Sequence, residues 1–581
     1  MVIDLTTGKP TLILASDAKK GMYVERCSWA TNSRLLCAYY GAFRFQGKPA
    51  GASRLVAVDA DGGNQKVLAQ KQQRENFAFH QDEIVALLPE DPRYIWLEFD
   101  EGRGEGVVRV DIEKNKLKTI VRPRETVWGY AADSYREEVR IRVNSNRTNV
   151  DLEYRLAGED KWRRLHRYAG GDVTDDFDFA GFTPEPNDIL VWDDVDGRRT
   201  LLLETLTEDA ETPRKREVVF AHPEVDVYGL DTLGKHRRLV GALYETDRRY
   251  IHYFDEVARG IHDRVAEEFG DVDVVLIDES WDQRYYLIRA HSDVNPGGYY
   301  RYDAEADALS KITDARSWLD EDDLSPMRAL RFPTRDGKEV PGYLTTPSGK
   351  PKKNLPLIVY PHGGPWARDS WGFHWVPQFL AAQGYAVLQP NYRGSTGYGD
   401  TWVGEGALNE WKTVMEDIED GVRHLVEQGT VDPKRICTVG WSYGGYAALM
   451  SPLENPERYQ CAVSIAGLTH PYRLYEDAPR GAKKAFRQLV PTKGDEVRQN
   501  SPLRRAEEMP VPVLLFHGDL DLNVPVDHGE DLASALEDAD KDVEYVEYEN
   551  ADHYLEREQQ RIDMLQRIAD FLDTHLKKKT N

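Results

Sequence analysis

Ile436-Cys437-Thr438-Val439-Gly440-Trp441-Ser442-Tyr443-Gly444-Gly445-Tyr446-Ala447-Ala448-Leu449-Met450 joins a short apolar run to a helix-forming one through Gly440-x-Ser442-x-Gly444. The first run reads as a strand and the second as a helix, so the serine falls on a tight strand-to-helix turn. Such a turn strains the serine backbone and projects its hydroxyl, while the flanking glycines let strand and helix approach. Taken alone, the five residues would also suit a Gly-rich turn. With the strand before and the helix after, they predict a serine hydrolase with Ser442 as nucleophile.

Outward from this turn, the chain beyond about residue 325 alternates strands with helices. Pro356 to Tyr360, Ala386 to Gln389, Ile436 to Val439, Cys461 to Ile465, Val513 to Phe516 and Val543 to Tyr548 read as strands. Trp411 to Glu427, Tyr443 to Leu453, Asp527 to Leu536 and Arg557 to His575 carry helical periodicity. That alternation predicts a mostly parallel sheet covered on both faces, with reactive groups at the carboxyl ends of its strands.

Residues 1–320 have a different texture: short Val, Ile, Tyr and Leu runs broken by Asp, Gly and Asn. A phrase recurs in which a β-rich triplet, an aspartate and a polar turn precede a second strand. Examples are Val2-Ile3-Asp4, Val56-Ala57-Val58-Asp59, Val108-Arg109-Val110-Asp111 and Tyr300-Arg301-Tyr302-Asp303. Less regular copies lie near Asp151, Asp194 and Tyr253-Phe254-Asp255. Intervals of roughly 40 to 60 residues match one four-stranded propeller blade, so an all-β propeller of about seven blades is expected over 1–320. The α/β-hydrolase domain is expected over 321–581. The first blade reads as incomplete, since Met1 to Lys9 already matches an outer hairpin. Either the ring closes by borrowing strands from the last blade, or the natural chain extends further upstream.

A serine hydroxyl needs a base, and the base needs an acid to hold its tautomer. In α/β-hydrolases the acid follows the serine and the histidine comes last. His553 follows the last predicted strand and precedes the C-terminal helix, so it is preferred over His517, which ends a strand, and His528, which opens a helix. The acid belongs in His517-Gly518-Asp519-Leu520-Asp521-Leu522-Asn523-Val524-Pro525, where position alone leaves Asp519 and Asp521 open. Asp519-x-Asp521-x-Asn523 imitates a calcium loop, but Val524 stands where the turn needs glycine, and no metal is expected. Oxyanion donors are expected from the Tyr443 N–H and from His362-Gly363-Gly364-Pro365.

His362-Gly363-Gly364-Pro365, Asn391-Tyr392-Arg393-Gly394-Ser395-Thr396-Gly397-Tyr398-Gly399, Gly440 to Gly445, His517-Gly518 through Val524-Pro525, and His553 together resemble the prolyl oligopeptidase family, in its acylaminoacyl-peptidase-like branch. The resemblance is strong in the C-terminal half and rests on repeat texture in the N-terminal half. It implies a propeller joined to an α/β-hydrolase domain, and peptide cleavage by Ser442, Asp521 and His553. It thereby selects Asp521 over Asp519 and assigns the second oxyanion donor to the Gly364 N–H. Many relatives carry arginine at this place, whereas this chain has Asn523; the dipeptidyl-peptidase branch also has asparagine there, where it helps hold the carbonyl of the residue before P1, so Asn523 is the candidate for that contact. Tyr443, Val524, Tyr472 and Tyr475 are candidates for an apolar P1 pocket. No paired-glutamate segment for a free amino terminus is found, which leaves dipeptide release open.

Composition sets the outer limits. At 581 residues the chain exceeds a single core, and its net charge of -25 disfavours nucleic acid as a partner. The one basic cluster, Lys577-Lys578-Lys579, reads as a solvated tail. No run of 18 apolar residues predicts a membrane helix. The four cysteines are too dispersed for a disulfide scaffold or zinc site. Cys437 and Cys461 read as core residues, whereas Cys27 and Cys37 suit opposite positions of a hairpin. The expected partner is a short peptide, no cofactor is implied, and a homo-oligomer and the compartment stay open. The alternatives are a carboxylesterase on the same triad and a non-catalytic propeller interaction protein.

Overall fold

The computed structural model describes all residues except 6, 18–20, 70–78, 101–103, 147–148, 170–175, 210–213, 405, 407, 479–482 and 577–581. The Lys577 to Lys579 tail therefore lies outside the described residues.

Six antiparallel sheets form the propeller blades, spanning 22–67, 84–124, 127–169, 178–220, 227–253 and 273–314. Five have four strands and the fifth blade has three. The recurring aspartate has a physical reason: its carboxylate caps the turn between two strands. Asp111 Oδ1 accepts from the N–H groups of Glu113 and Lys114, both at 3.0 Å, and Asp303 Oδ1 from Glu305 and Ala306 at 3.1 and 3.2 Å. Asp255 does the same work in a different setting. It N-caps the helix Glu256–Ala266 through Val257 and Ala258, so the repeat phrase there starts a helix and not an outer hairpin.

The expected count of about seven is corrected to six blades among the described residues. The opening phrase does form a hairpin, Val2–Ile3 paired with Pro10–Thr11, but as a two-stranded sheet of its own. Each blade sheet is built from consecutive strands, so strand borrowing between the chain start and the last blade, one of the two alternatives, is not seen among the described residues.

In the second blade Glu98 and Glu105 share one site. Burial first, then the charge and hydrogen bond of Glu105, push Glu98 up to about 9. The folded state thus keeps a proton that the unfolded chain releases above about pH 4.3, so its stabilising effect is lost as pH rises toward 9. Glu98→Gln is expected to flatten that loss by about 1 kcal/mol or more, read as a smaller fall in melting temperature between about pH 5 and pH 9.

Beyond Asp314, one eight-stranded sheet carries the rest of the chain. Its spatial order is Met327–Pro333, Glu339–Thr345, Ala386–Pro390, Leu355–Val359, Val431–Trp441, Cys461–Ile465, Val513–Gly518 and Val543–Tyr548. Glu339–Thr345 is antiparallel to both its neighbours, and the strands from Ala386–Pro390 onward pair in parallel. Apolar residues pack on both faces: Val414, Ile418 and Val422 of the helix Trp411–Glu427 on one, and Met564, Ile568 and Leu572 of the helix Glu558–Leu576 on the other. The order of strand addition reverses between Leu355–Val359, from which the chain goes on to Ala386–Pro390 on one side, and Val431–Trp441, from which it goes on to Cys461–Ile465 on the other. A crevice opens at the carboxyl ends of strands at such a switch point.

Both cysteine pairs are disulfide-bonded. Cys27–Cys37 joins opposite positions of the first-blade hairpin, as its spacing suggests. The plain core reading of Cys437 and Cys461 is corrected: they are buried and also bonded, being directly opposite on neighbouring parallel strands with Cα atoms 4.9 Å apart. A separation of 24 residues does not reveal that register. Closing that loop is worth about 3 kcal/mol on the chain-entropy view. Mild reductant is expected to open Cys27–Cys37, where Cys27 is exposed, and to leave the fully buried Cys437–Cys461 intact until the domain unfolds; thiol labelling with mass spectrometry reads the order.

The propeller sits against this sheet domain through polar contacts. Arg368 donates to the carbonyls of Glu245 and Thr246 at 3.1 and 3.0 Å, Tyr343 donates to that of Asp247 at 2.8 Å, and the Gly399 N–H reaches Asp226 at 3.1 Å. Among the described residues no helix is long and apolar enough to cross a membrane.

Candidate active site

The switch-point crevice holds the Gly-x-Ser-x-Gly turn. Ser442 ends the strand Val431–Trp441 and caps the helix Tyr443–Glu454 with φ 60° and ψ -121°, a conformation costing a non-glycine residue about 1 to 3 kcal/mol. The glycines do what their spacing implies: a Cβ on Gly440 would lie 2.0 Å from the Gly444 carbonyl oxygen, and one on Gly444 would lie 2.2 Å from the Pro361 carbonyl oxygen. The elbow is therefore packed directly against the loop that follows Leu355–Val359.

That loop carries His362-Gly363-Gly364. A Cβ on Gly363 would meet Trp441 O at 3.0 Å and Ser442 Cβ at 3.5 Å, and Gly364 has φ +66°. The Tyr443 N–H opens a helix and has no intrahelical acceptor. Both sequence-assigned oxyanion donors thus belong to segments that meet at Ser442. His362 anchors the loop: its Nε2 lies 2.8 Å from Ser395 Oγ, its carbonyl accepts from the Tyr392 hydroxyl at 2.9 Å, and its ring stacks on Tyr392 with centroids 4.3 Å apart. Burial lowers its pKa to about 4, so it stays neutral there. The Asn391 to Gly399 motif is thus a brace behind the glycine loop. Arg393 holds it in place through a buried ion pair with Asp417 at 2.6 Å.

Asp521 and His553 are brought together as the order of motifs implies. Asp521 Oδ2 lies 2.7 Å from His553 Nδ1, and Oδ1 accepts from the N–H groups of Asn523 and Val524, both at 2.8 Å. Burial alone would raise the Asp521 pKa, but contacts to His517 and His553 outweigh it and hold the group at about 2. Trp441 Nε1 donates to the His553 carbonyl at 2.9 Å, tying the histidine loop to the elbow.

The rejected alternatives have other work. Asp519 is a bracket: Oδ1 accepts from the Ala551 N–H at 3.2 Å, and Oδ2 pairs with Arg44 of the first blade at 3.1 Å. His517 lies behind the acid, its Nε2 2.8 Å from the Val524 carbonyl oxygen and 3.4 Å from Asp521 Oδ2. His528 is bound to Thr469 in the core, where burial takes its pKa to about 3.

The proposed pocket residues are only partly gathered. Asn523 lines a cavity of about 400 Å³ together with His553. Val524 is buried, and its carbonyl is taken by His517. The Tyr443 ring packs between Tyr392 and Tyr446 in the core, so only its backbone can serve the site. Tyr472 and Tyr475 pack against one another at a tilt in the helix Tyr472–Asp477 and do not line the cavity beside His553. Tyr23, Glu25 and Tyr40 of the first blade do line it. No sequence signal marks them, because they meet His553 across some 500 residues of chain. Elsewhere, Asp176, Asp194 and Asp400 bring carboxylate oxygens within 4.8 Å of one another at the domain seam, with Asp194 and Asp400 exposed.

Residues 371–579 match the Prolyl oligopeptidase family. A Dipeptidyl aminopeptidase BIII from Pseudoxanthomonas mexicana is 33% identical over 303 residues, covering 49% of this chain and 44% of its own length. An Acylamino-acid-releasing enzyme from Rattus norvegicus is 27% identical over 245 residues, covering 40% of this chain and 33% of its own. The chain spans less than half the length of these curated relatives. Among solved structures, a Mycobacterium tuberculosis puromycin-hydrolyzing peptidase has the same fold over 98% of both chains, with a TM-score of 0.71 and 17% identity. Prolyl oligopeptidase B from Galerina marginata matches over 96% of this chain and 81% of its own, with a TM-score of 0.72 and 13% identity. A strained Gly-x-Ser-x-Gly elbow at the switch point of an eight-stranded sheet, a propeller beside it and this run of matches point the same way: over residues 371–579 the chain is similar to the prolyl oligopeptidase family.

Proposed function

We propose that this chain is a serine peptidase that hydrolyses short peptides through an acyl-enzyme. Ser442 Oγ attacks the scissile carbonyl while His553 takes its proton, and the imidazolium that forms is stabilised by Asp521. The tetrahedral oxyanion is met by the N–H groups of Tyr443 and Gly364. His553 then gives its proton to the leaving amine, and water repeats the path to free the acid and restore the serine. The observation that carries this reading is the 2.7 Å pairing of Asp521 with His553, on a histidine loop hydrogen-bonded to the elbow residue Trp441.

The propeller supplies the size limit, since first-blade residues share a cavity with His553 and restrict what reaches it. Short peptides free or blocked at either end, set against a folded protein containing the same sequence, test the reading. Cleavage of the peptides but not the folded protein, lost in Ser442→Ala, is expected. Hydrolysis of activated esters alone would replace the peptidase by a carboxylesterase, and equal cleavage of the folded protein would remove the size limit.

A further inference from the structure

Where the propeller meets the sheet domain, one buried spot holds more acceptors than donors. Asp369 is almost wholly buried, and its Oδ2 has no hydrogen-bond partner among the described residues. Gln389 Oε1, on the strand Ala386–Pro390, and Glu245 Oε1, on the propeller strand Arg238–Glu245, are buried and orphaned in the same way. Both side chains act on Asp369, Gln389 through a hydrogen bond and Glu245 through its charge. Buried polar atoms of a native protein are nearly always paired, so three orphaned oxygens on two sides of a domain seam need a reason.

The charges show the same shortage. Arg368 Nη2 lies 3.8 Å from Glu245 Oε1, outside hydrogen-bond reach, because its donors go to the carbonyls of Glu245 and Thr246. Arg249, 3.7 Å from Glu245 Oε2, is mostly exposed. The hydroxyls of Tyr360 and Tyr392 face Asp369 and are raised, by burial first and then by its charge. Tyr343 and Tyr398, beside Arg368, are raised by burial. The histidines packed on two of these rings, His374 on Tyr360 and His362 on Tyr392, are held neutral by burial, with pKa values of about 4. Among the described residues, two buried carboxyl groups thus face one largely buried guanidinium. A proton on Asp369 answers both shortages: it removes a buried charge and turns Oδ2 into a donor for an orphaned oxygen. Burial, opposed by Gln389 and Arg368 and reinforced by Glu245, accordingly brings the Asp369 pKa up to about 7.

We propose that Asp369 is a proton-operated latch between the two domains: protonated, it lets Glu245 dock beside Arg368, and ionised, it repels Glu245 and loosens the seam. The latch lies on the segment that continues from Gly364, so pH would set how firmly the propeller covers the crevice. It concerns docking alone and stands apart from the peptidase reading. In the docked state the carboxyl keeps its proton up to about pH 7, whereas an exposed aspartate releases it near about 3.9. The latch therefore stabilises docking fully below about pH 4, less as pH rises, and not at all above about 7. Between pH 6 and pH 8 docking should weaken about tenfold.

A second group on the seam titrates nearby. Asp400 meets Asp176 and Asp194, and burial, then these neighbours, raise its pKa to about 7. The test therefore compares the full-length protein with Asp400→Asn, which silences that trio, and with Asp400→Asn carrying either Asp369→Asn or Glu245→Gln. Hydrogen exchange followed by mass spectrometry gives protection factors for 241–249 and 366–371 between pH 5 and pH 9. In Asp400→Asn the protection is expected to fall about tenfold between pH 6 and pH 8 and to level off above. Adding Asp369→Asn should cut that fall to no more than about twofold. Adding Glu245→Gln removes the repelling charge and should move the fall to lower pH. A flat profile in Asp400→Asn overturns the latch, and so does a larger fall once Asp369→Asn is added. Should the Asp369→Asn protein not fold, a fall at unchanged pH in the Glu245→Gln protein overturns it. Peptide cleavage is not among the readouts, so failure here leaves the peptidase reading untouched.

Discussion

Ser442→Ala is expected to lower kcat for peptide hydrolysis by a factor on the order of 10⁴ to 10⁶, with the protein still folded. The size of the effect follows from the proposed mechanism, in which no bond to the acyl group forms without the hydroxyl. Ser442→Gly should be equally inactive but behave differently in stability. At φ 60° and ψ -121° a Cβ is penalised and glycine is not, so the glycine variant should exceed the alanine variant by about 1 kcal/mol. Activity assays with denaturant unfolding of all three proteins separate the two effects. Equal stability of the two variants would mean that the surroundings have relaxed the strain at the elbow.

The second large effect is expected at Asp521. Asp521→Asn preserves shape but offers an amide where His553 Nδ1 needs an acceptor, and the imidazole then turns to the wrong tautomer; a loss of about 10⁴ in kcat follows. KM should change much less, because Asp521 touches no substrate. The same substitution carries a stability signature. The Asp521 pKa of about 2 lies below the unfolded value of about 3.9, so its contribution is present above about pH 4 and vanishes as pH falls through about 2. The gap in stability between wild type and Asp521→Asn should therefore close on acidification. A gap that widens toward low pH would reverse the sign of this linkage.

The sheet domain was readable because its strands are apolar runs and its helices keep one period; the strand Cys461–Ile465 and the helix Trp411–Glu427 fall on the residues their patterns imply. The antiparallel pair Met327–Pro333 and Glu339–Thr345 escaped notice, although Asp336-Gly337 between them is a hairpin signal. In the propeller, the helix after Asp255 was masked by the repeat phrase; Ala258, Ile261 and Val265 share one face and would have marked it. At the site, spacing could not choose between Asp519 and Asp521, since both follow one strand and only the reach to His553 distinguishes them. The aromatic pair Tyr472 and Tyr475 was attractive by composition, but the helix they share turns them toward each other and away from the cavity. Glu25 and Tyr40 could not be read at all, because they come to line the His553 cavity only where the propeller meets the sheet domain.

Arg44 reaches out of the first blade to Asp519, and Asp519 in turn holds Ala551, two residues before His553. The propeller thus has a hand on both loops that carry Asp521 and His553. In thermodynamic terms, parting the domains and loosening the Asp521–His553 pair draw on the same free energy, so under the proposed function a peptide that binds to the assembled site is expected to stabilise the docked arrangement as well. Occupancy of the active site should then be visible far away, as slower hydrogen exchange at the Arg368 and Tyr343 contacts of the domain seam.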